Sequence, residues 1–234
     1  MNTTTNNPVA AAKRAGRNAL DESAGKQLLA AHGVKVPQSR VAQGIADVDA
    51  VMNGLQTPLV VKVMSPDILH KSDAGGVKIG LKSADELAQA ITAMAAAPQI
   101  KQARVDGWLI EEMAPAGQEV VVGAVRDPNF GPLVMVGLGG IFVEILADVA
   151  FRICPITRLD AAEMLDELKG VALLDGARGR VRASREAIID VLLKVGGENG
   201  LLMQHAEDFK EADINPLIVS ANGAVAVDAR FVLA

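Results

Sequence analysis

The sequence predicts an α+β fold built as two lobes, and three observations carry that prediction. Strand-like runs alternate with helical ones in the first part of the chain. From residue 107 onward, strand-like runs follow one another through short turns, which is the pattern of antiparallel hairpins rather than of an open parallel sheet. A chain of 234 residues that is 50% hydrophobic can bury one large core or two small ones. The apolar pattern lapses at PQIKQARVD, near residues 98–106, which places the division there. The expected parts are a flexible tail over 1–17, a first lobe over 18–106 and a second over 107–234.

The elements follow in order. Asp21 to His32 has helical spacing, with Leu28 and Leu29 on one face and Gly33 placed as the C-terminal cap. VKVPQSRVA (34–42) reads as a loop and a short strand, and Ile45 to Asn53 as a helix. PLVVKVM (58–64) is a continuous β-branched run, hence a buried strand. A second strand, VKIGL (77–81), follows the loop DILHKSDAGG. Ser83 caps an Ala-rich helix over 84–96, with Pro98 just beyond it. GWLIEEM (107–113) and QEVVVGAVRD (118–127) read as strands joined by the turn APAG, and FGPLVMVG (130–137) as a third. VAFRICPI (149–156) is a further strand, Asp160 caps a helix to Lys169, and Ser184 caps a long helix to about Gln204, loosened at Gly196, Gly197 and Gly200. Residues 209–233 read as a hairpin turning at ANG.

Composition excludes several functions. A formal charge of −5 offers no basic footprint for nucleic acid, and with 3% aromatics there is no stacking platform for single strands. With one cysteine, Cys154, there is no disulfide framework and no cysteine-rich zinc site, and its apolar setting FRICPI reads as that of a small buried hydrophobe rather than a nucleophile. No apolar run approaches a bilayer span, and MNTTTNNPVAAAKRAGR lacks the apolar stretch of a secretory signal, so a cytoplasmic protein is expected.

Four constellations remain. Lys62 interrupts an otherwise apolar strand, where an ammonium needs an anionic partner; an edge-strand lysine reaching solvent is the alternative. In HKSDAGGVKIG, paired glycines can turn successive N–H groups toward phosphate oxygens, with Lys71 and Ser72 as further donors; a plain hairpin loop is the alternative. Walker spacing is absent, and GLGGIF (137–142) fails GxGxxG at its last position. In ADINPL and AVDAR, Asp213 and Asn215 lie two apart on one strand and Asp228 across the ANG turn, an acid–amide set suited to Mg²⁺ completed by phosphates; a solvated hairpin face is the alternative. Glu111, Glu112 and Glu119 stand beside apolar strand residues, and each alone reads as a surface carboxylate.

Their order along the chain is more informative than any one of them. PLVVKVMSPDILHKSDAGGVKIGL, FGPLVMVGLGGIFVEILADVAFRICP and ADINPLIV resemble the ATP-grasp domain, and in detail the β subunit of ADP-forming acyl-CoA synthetases, relatives of the succinyl-CoA synthetase β subunit. The resemblance runs from about residue 18 to the end. It implies an ATP-grasp fold whose two lobes clamp ATP. It also implies that Lys62 contacts nucleotide phosphate and that Gly75, Gly76 and Val77 form a mobile phosphate cover. Glu111 and Met113 would meet adenine through backbone groups, Glu119 the ribose, and Asn215 and Asp228 the Mg²⁺ ion. Asp213 would interact with a phosphohistidine brought in by a partner.

The reaction implied is acyl-CoA + ADP + phosphate ⇌ acid + CoA + ATP, with phosphate carried on a histidine. In the family the main phosphohistidine and a CoA-binding Rossmann domain belong to an α part, and no such domain fits here, so a separate α subunit in a heteromer of α2β2 type is expected. In the acetyl-CoA branch a second histidine just before the glycine loop can take the phosphate, and His70 occupies that position. A neutral imidazole is a competent nucleophile near pH 7. His32 and His205, at helix ends, are given structural roles, and Arg152 either a phosphate contact or a salt bridge bracing the lobes; Glu144 has no role assigned. The competing readings are an ATP-grasp ligase acting directly through an acyl phosphate and a non-catalytic partner subunit. The acid substrate and the choice of ATP or GTP are not written in this chain.

Overall fold

The computed structural model describes residues 7–68, 70–140, 146–177 and 181–234. The chain divides into two compact units, one spanning Pro37–Ala114, the other combining Pro115–Ala234 with the segment that ends at Val36. The division near residue 106 expected from sequence is thus placed differently, for two reasons given by strand pairing. The strand at 107–112 belongs to the sheet of the smaller unit, and residues 19–20 pair with the last strand of the chain.

The larger unit begins with α1 (Pro8–Arg14), β1 (Ala19–Leu20) and α2 (Glu22–Ala31). Helix α1 lies within the stretch expected to be a tail. Asn7 caps it by accepting the N–H groups of Val9 and Ala10, and Val9 and Ala12 are buried in the unit's core. α2 matches its prediction: Asp21 caps its start, and Gly33 follows its end at φ +78°, a conformation glycine adopts without strain.

The smaller unit holds β2 (Ser39–Ala42), α3 (Val48–Met52), β3 (Leu59–Met64), β4 (Val77–Leu81), α4 (Ala84–Ala96), α5 (Pro98–Gln102) and β5 (Gly107–Glu112). Its sheet is antiparallel in the order β2-β5-β3-β4. Leu59, Val61 and Val63 from β3 and Trp108 and Ile110 from β5 form a core with Leu87, Ile91 and Met94 of α4. Every residue of β3 is buried, as its unbroken β-branched run predicts. Ser83 caps α4 as expected. Pro98 opens α5 rather than merely following α4, because a first-turn residue needs no N–H.

The rest of the larger unit contains β6 (Gln118–Asp127), β7 (Gly131–Leu138), β8 (Val149–Ile153), α6 (Arg158–Asp166), α7 (Arg185–Gly196), α8 (Leu201–Gln204), β9 (Phe209–Ser220), β10 (Gly223–Ala226) and β11 (Arg230–Leu233). Its seven-stranded sheet runs β1-β11-β9-β6-β7-β8, with β10 also on β9. Val134 and Val136 of β7 and Ile214, Leu217 and Val219 of β9 pack with Met164 and Leu165 of α6 and Ile188 and Leu192 of α7.

Three local expectations are corrected. β5 and β6 are not a hairpin: they lie in different sheets, and Gly117 passes so close to the Val219 carbonyl that a Cβ there would sit 2.5 Å from it. The chain is thereby committed to β9 instead of folding back on β5. Asp160 does not cap α6 but occupies the third position of a capping box with Thr157, whose Oγ1 accepts the Asp160 N–H at 3.2 Å while the Asp160 carboxylate accepts the Thr157 N–H at 2.7 Å. The long helix expected over 184–204 is two, because at Gly197 the backbone turns extended and approaches the Leu193 carbonyl too closely for any side chain.

Candidate active site

In the smaller unit, β3 lies between β5 and β4, so Lys62 is not on an edge strand. The register places Val60 opposite Glu111 and Lys62 opposite Leu109, so Lys62 and Glu111 are diagonal neighbours on one face. Lys62 Nζ is 2.7 Å from the Glu111 carboxylate, with the two side chains 8% and 2% exposed. This is the anionic partner that a lysine in an apolar strand requires. Sequence reasoning did not pair the two. The available signal was a charge of each sign in two strands otherwise built to be buried.

β4 starts where the glycine loop ends, which sets Val77 directly opposite Lys62. The loop is closed on itself. The N–H of Ala74 donates to the His70 carbonyl at 3.2 Å, that of Gly75 to Ser72 at 3.1 Å and that of Gly76 to Lys71 at 2.7 Å. Gly75 has φ +70°. At Gly76 a Cβ would lie 2.5 Å from Cγ1 of the buried Val63 and 3.0 Å from the Lys71 carbonyl, so only glycine fits. The expected cradle of converging N–H groups is therefore not formed in this conformation; those donors are spent within the loop. His70 stands exposed at the loop's start.

At the far end of β5, the Glu112 N–H donates to the Gln38 carbonyl on the β2 side, so by alternation the backbone groups of Glu111 face β3. The Met113 N–H likewise donates to the Pro58 carbonyl at 3.0 Å, and the Met113 side chain is exposed. The backbone groups expected to meet adenine are thus turned toward the sheet.

In the larger unit, Glu119 is exposed near the start of β6, and its carbonyl accepts the Gly139 N–H at 2.8 Å. Asp213 is half-buried and Asn215 exposed on β9. The residue directly across from Asp213 is Arg230, with Gly123 on its other side. Asp228, expected on the partner strand, instead lies between β10 and β11, where its Oδ1 accepts the Ala229 N–H at 2.8 Å. The structure still couples the acids: burial first, then the charges of Asp228 and Glu211, raise the Asp213 carboxyl above the usual carboxylate range, opposed by Arg230. Among the described residues no group of three His, Cys, Asp or Glu side chains is arranged around a metal position. One or two carboxylates, an amide oxygen and a surplus of negative charge nonetheless fit a hard cation completed by phosphates and water.

The remaining residues singled out are structural in their contacts. Arg152 of β8 pairs with Glu167 at 3.0 Å and with Glu163 at 3.7 Å, tying the strand to the end of α6 within one unit. The rings of His32 and His205, at the ends of α2 and α8, meet edge to face at 5.6 Å, and His205 contacts Asp208 at 2.8 Å. Cys154 is buried, which pushes its thiol up to about 12. Glu144 lies outside the described residues.

Comparison with known proteins places this arrangement. The model of the ATP-grasp domain matches residues 11–233. The chain belongs to the ATP-grasp family. This ATP-grasp chain is 45% identical over 222 residues to the acetate–CoA ligase [ADP-forming] I subunit beta of Pyrococcus furiosus, covering 94% of each chain. It is 40% identical to the acetate–CoA ligase [ADP-forming] I of Archaeoglobus fulgidus, covering 89% of this chain and 30% of that longer one. Among solved structures, the dinucleotide forming acetyl-coenzyme A synthetase 1 of Ca. Korarchaeum cryptofilum, in complex with coenzyme A, Ca-AMPCP and HgCl+, matches with a TM-score of 0.89 and 38% identity, covering 97% of this chain and 98% of that one. Close homologues of the chain are thus β subunits of ADP-forming acetate–CoA ligases, and the longer single-chain relatives imply an α partner. No described helix is long and apolar enough to cross a membrane.

Proposed function

We propose that the chain is the nucleotide-binding β subunit of an ADP-forming acyl-CoA synthetase, transferring phosphate between ATP or ADP and histidine in the reversible reaction acid + CoA + ATP = acyl-CoA + ADP + phosphate. The observation that carries this reading is the 45% identity maintained across 94% of both this chain and a β subunit of that activity. Lys62 meets the nucleotide phosphates. Gly75, Gly76 and Val77 cover them, which requires the loop to release the N–H groups it now holds internally. The adenine lies at the end of β5 beside the exposed Met113 side chain, since the Met113 N–H is held by the Pro58 carbonyl, and the ribose meets Glu119. His70 is the acceptor on this chain: a neutral ring nitrogen forms a bond to the γ-phosphorus as the bond to the bridging oxygen of ADP breaks, and ADP leaves. The reverse step regenerates ATP. Asp213 orients the partner's phosphohistidine when it arrives to collect or deliver the group.

Asn215 and Asp228 would hold Mg²⁺, which would neutralise charge on the phosphates when bound. The partner is a CoA-binding α subunit carrying the main phosphohistidine, in an α2β2 assembly within the cytoplasm. Titration calorimetry with ATP and ADP tests the nucleotide site. Binding should require Mg²⁺, and Asp228→Asn should weaken it by about tenfold or more, the scale of losing one charged ligand. Absence of binding to the wild-type chain would overturn the reading.

A further inference from the structure

Asp213 belongs to a row of residues that crosses the large sheet. Strand pairing sets Arg230 of β11, Asp213 of β9, Gly123 of β6, Met135 of β7 and Phe151 of β8 side by side. Residues directly opposite each other share a face. Ala212, Ala124 and Val134 of the next row point the other way, into the core. The row of Asp213 therefore lies on the face turned away from that core, and a side chain brought to Asp213 by a partner arrives on that face. Charge along the row is uneven. On one side of Asp213 stand Gly123, Met135 and Phe151, all uncharged, and on the other Arg230. The register would allow Arg230 to close an ion pair with Asp213, yet none forms. Arg230 is exposed, and its guanidinium makes no hydrogen bond or close ion pair among the described residues. Asp213 meanwhile feels the negative charges of Asp228 and Glu211. An anionic phosphoryl group carried here on a histidine meets this surplus of negative charge, and a further cation on the same face offsets the repulsion. A planar guanidinium suits the task, because it can give two parallel N–H bonds to phosphoryl oxygens.

We infer that Arg230 is the contact for the phosphoryl group of the partner's phosphohistidine, beside Asp213, which accepts the N–H of the same ring. This rests on the phosphate relay proposed above and deepens it by naming a residue for the group in transit. The two side chains divide the ligand between them. The carboxylate takes the protonated ring nitrogen and the guanidinium takes the phosphoryl oxygens. As phosphorus passes from the His70 ring to the partner's ring, one N–P bond breaks and one forms, and the second nitrogen of the partner's ring keeps its proton, hydrogen-bonded to Asp213.

The test is a single-turnover reaction of γ-³²P-ATP and Mg²⁺ with the complex of this chain and its α partner, in which the label on each subunit is followed in time. Arg230→Ala should slow the appearance of label on the α subunit by about tenfold or more, the scale of a lost charge-assisted bond, while the initial labelling of this chain keeps its wild-type rate. The loss should persist at saturating α subunit. Arg230→Lys, which keeps the charge without the fork, should recover part of it. Labelling of the α subunit at the wild-type rate in Arg230→Ala, or no recovery in Arg230→Lys, would overturn the proposal. So would equal slowing on both subunits, which assigns Arg230 to the nucleotide, and a loss that vanishes at saturating α subunit, which assigns it to docking. A wild-type complex that labels neither subunit removes the relay itself, a separate failure that takes the proposal with it.

Discussion

Asp213 illustrates how much chemistry one residue's surroundings impose. It is half-buried, it faces the charges of Asp228 and Glu211, and Arg230 across the ladder offsets them only in part. A carboxyl raised in the folded state binds its proton more tightly there than in the unfolded chain. Its contribution to stability is fully present below the unfolded value and is lost as pH rises through the folded one. Asp213→Asn should therefore raise the melting temperature at pH 7 and leave it unchanged near pH 3, as thermal unfolding at the two pH values would show. A variant that melts lower at pH 7 contradicts the assignment of Asp213 as electrostatically strained. The acids of ADINPL were legible in the sequence, since two polar residues at strand spacing share a face. Arg230 as the cross-strand neighbour was not, because register over the break between β10 and β11 follows from backbone pairing that residue types do not encode. Lys62 was legible as an anomaly, and only the register of β3 against β5 identified Glu111 as the answer to it.

At the scale of elements, local signals were read well and non-local ones poorly. α4 was bounded by Ser83 and α2 by Asp21 and Gly33, all effects of residues within a turn of the helix end. The capping box at Thr157 was missed because its partner at the third position is an aspartate, so the acid was taken for the cap itself. β5 and β6 looked like a hairpin because a short turn containing glycine between two strands reads as one; which sheet each joins is decided by distant partners, β2 and β3 for one and β7 and β9 for the other. The loop over 70–76 combines both cases. Its glycines were legible, but their use was not. Gly76 is required by close packing on Val63 and Gly75 by its positive φ, which are structural reasons that hold without any ligand. Gly76→Ala should accordingly destabilise the chain by about 1–3 kcal/mol, the usual penalty of overpacking a filled site, as measured by urea unfolding. A variant as stable as wild type would show that the loop packs differently from the structure.

At the scale of the whole molecule, the described residues form two hydrophobic cores, one for each unit. Their division was the part of the architecture least accessible from sequence. A break in apolar pattern at PQIKQARVD suggested a boundary, yet that segment contains a short helix of the smaller unit. The segment up to Val36 joins the C-terminal part through β1 on β11, a pairing across almost the full length of the chain. The fold class and the family, in contrast, were both legible, because the lysine, glycine-loop and acid–amide motifs keep their order even where each is ambiguous alone.

The central claim is that this chain moves phosphate between nucleotide and histidine. Incubation with γ-³²P-ATP and Mg²⁺, with the α partner supplied, tests it most directly. The account predicts an acid-labile, base-stable label on the chain that is absent from His70→Ala, while that variant still binds ATP. Label of the same amount on His70→Ala, or none on the wild-type chain with the α partner present, would contradict it.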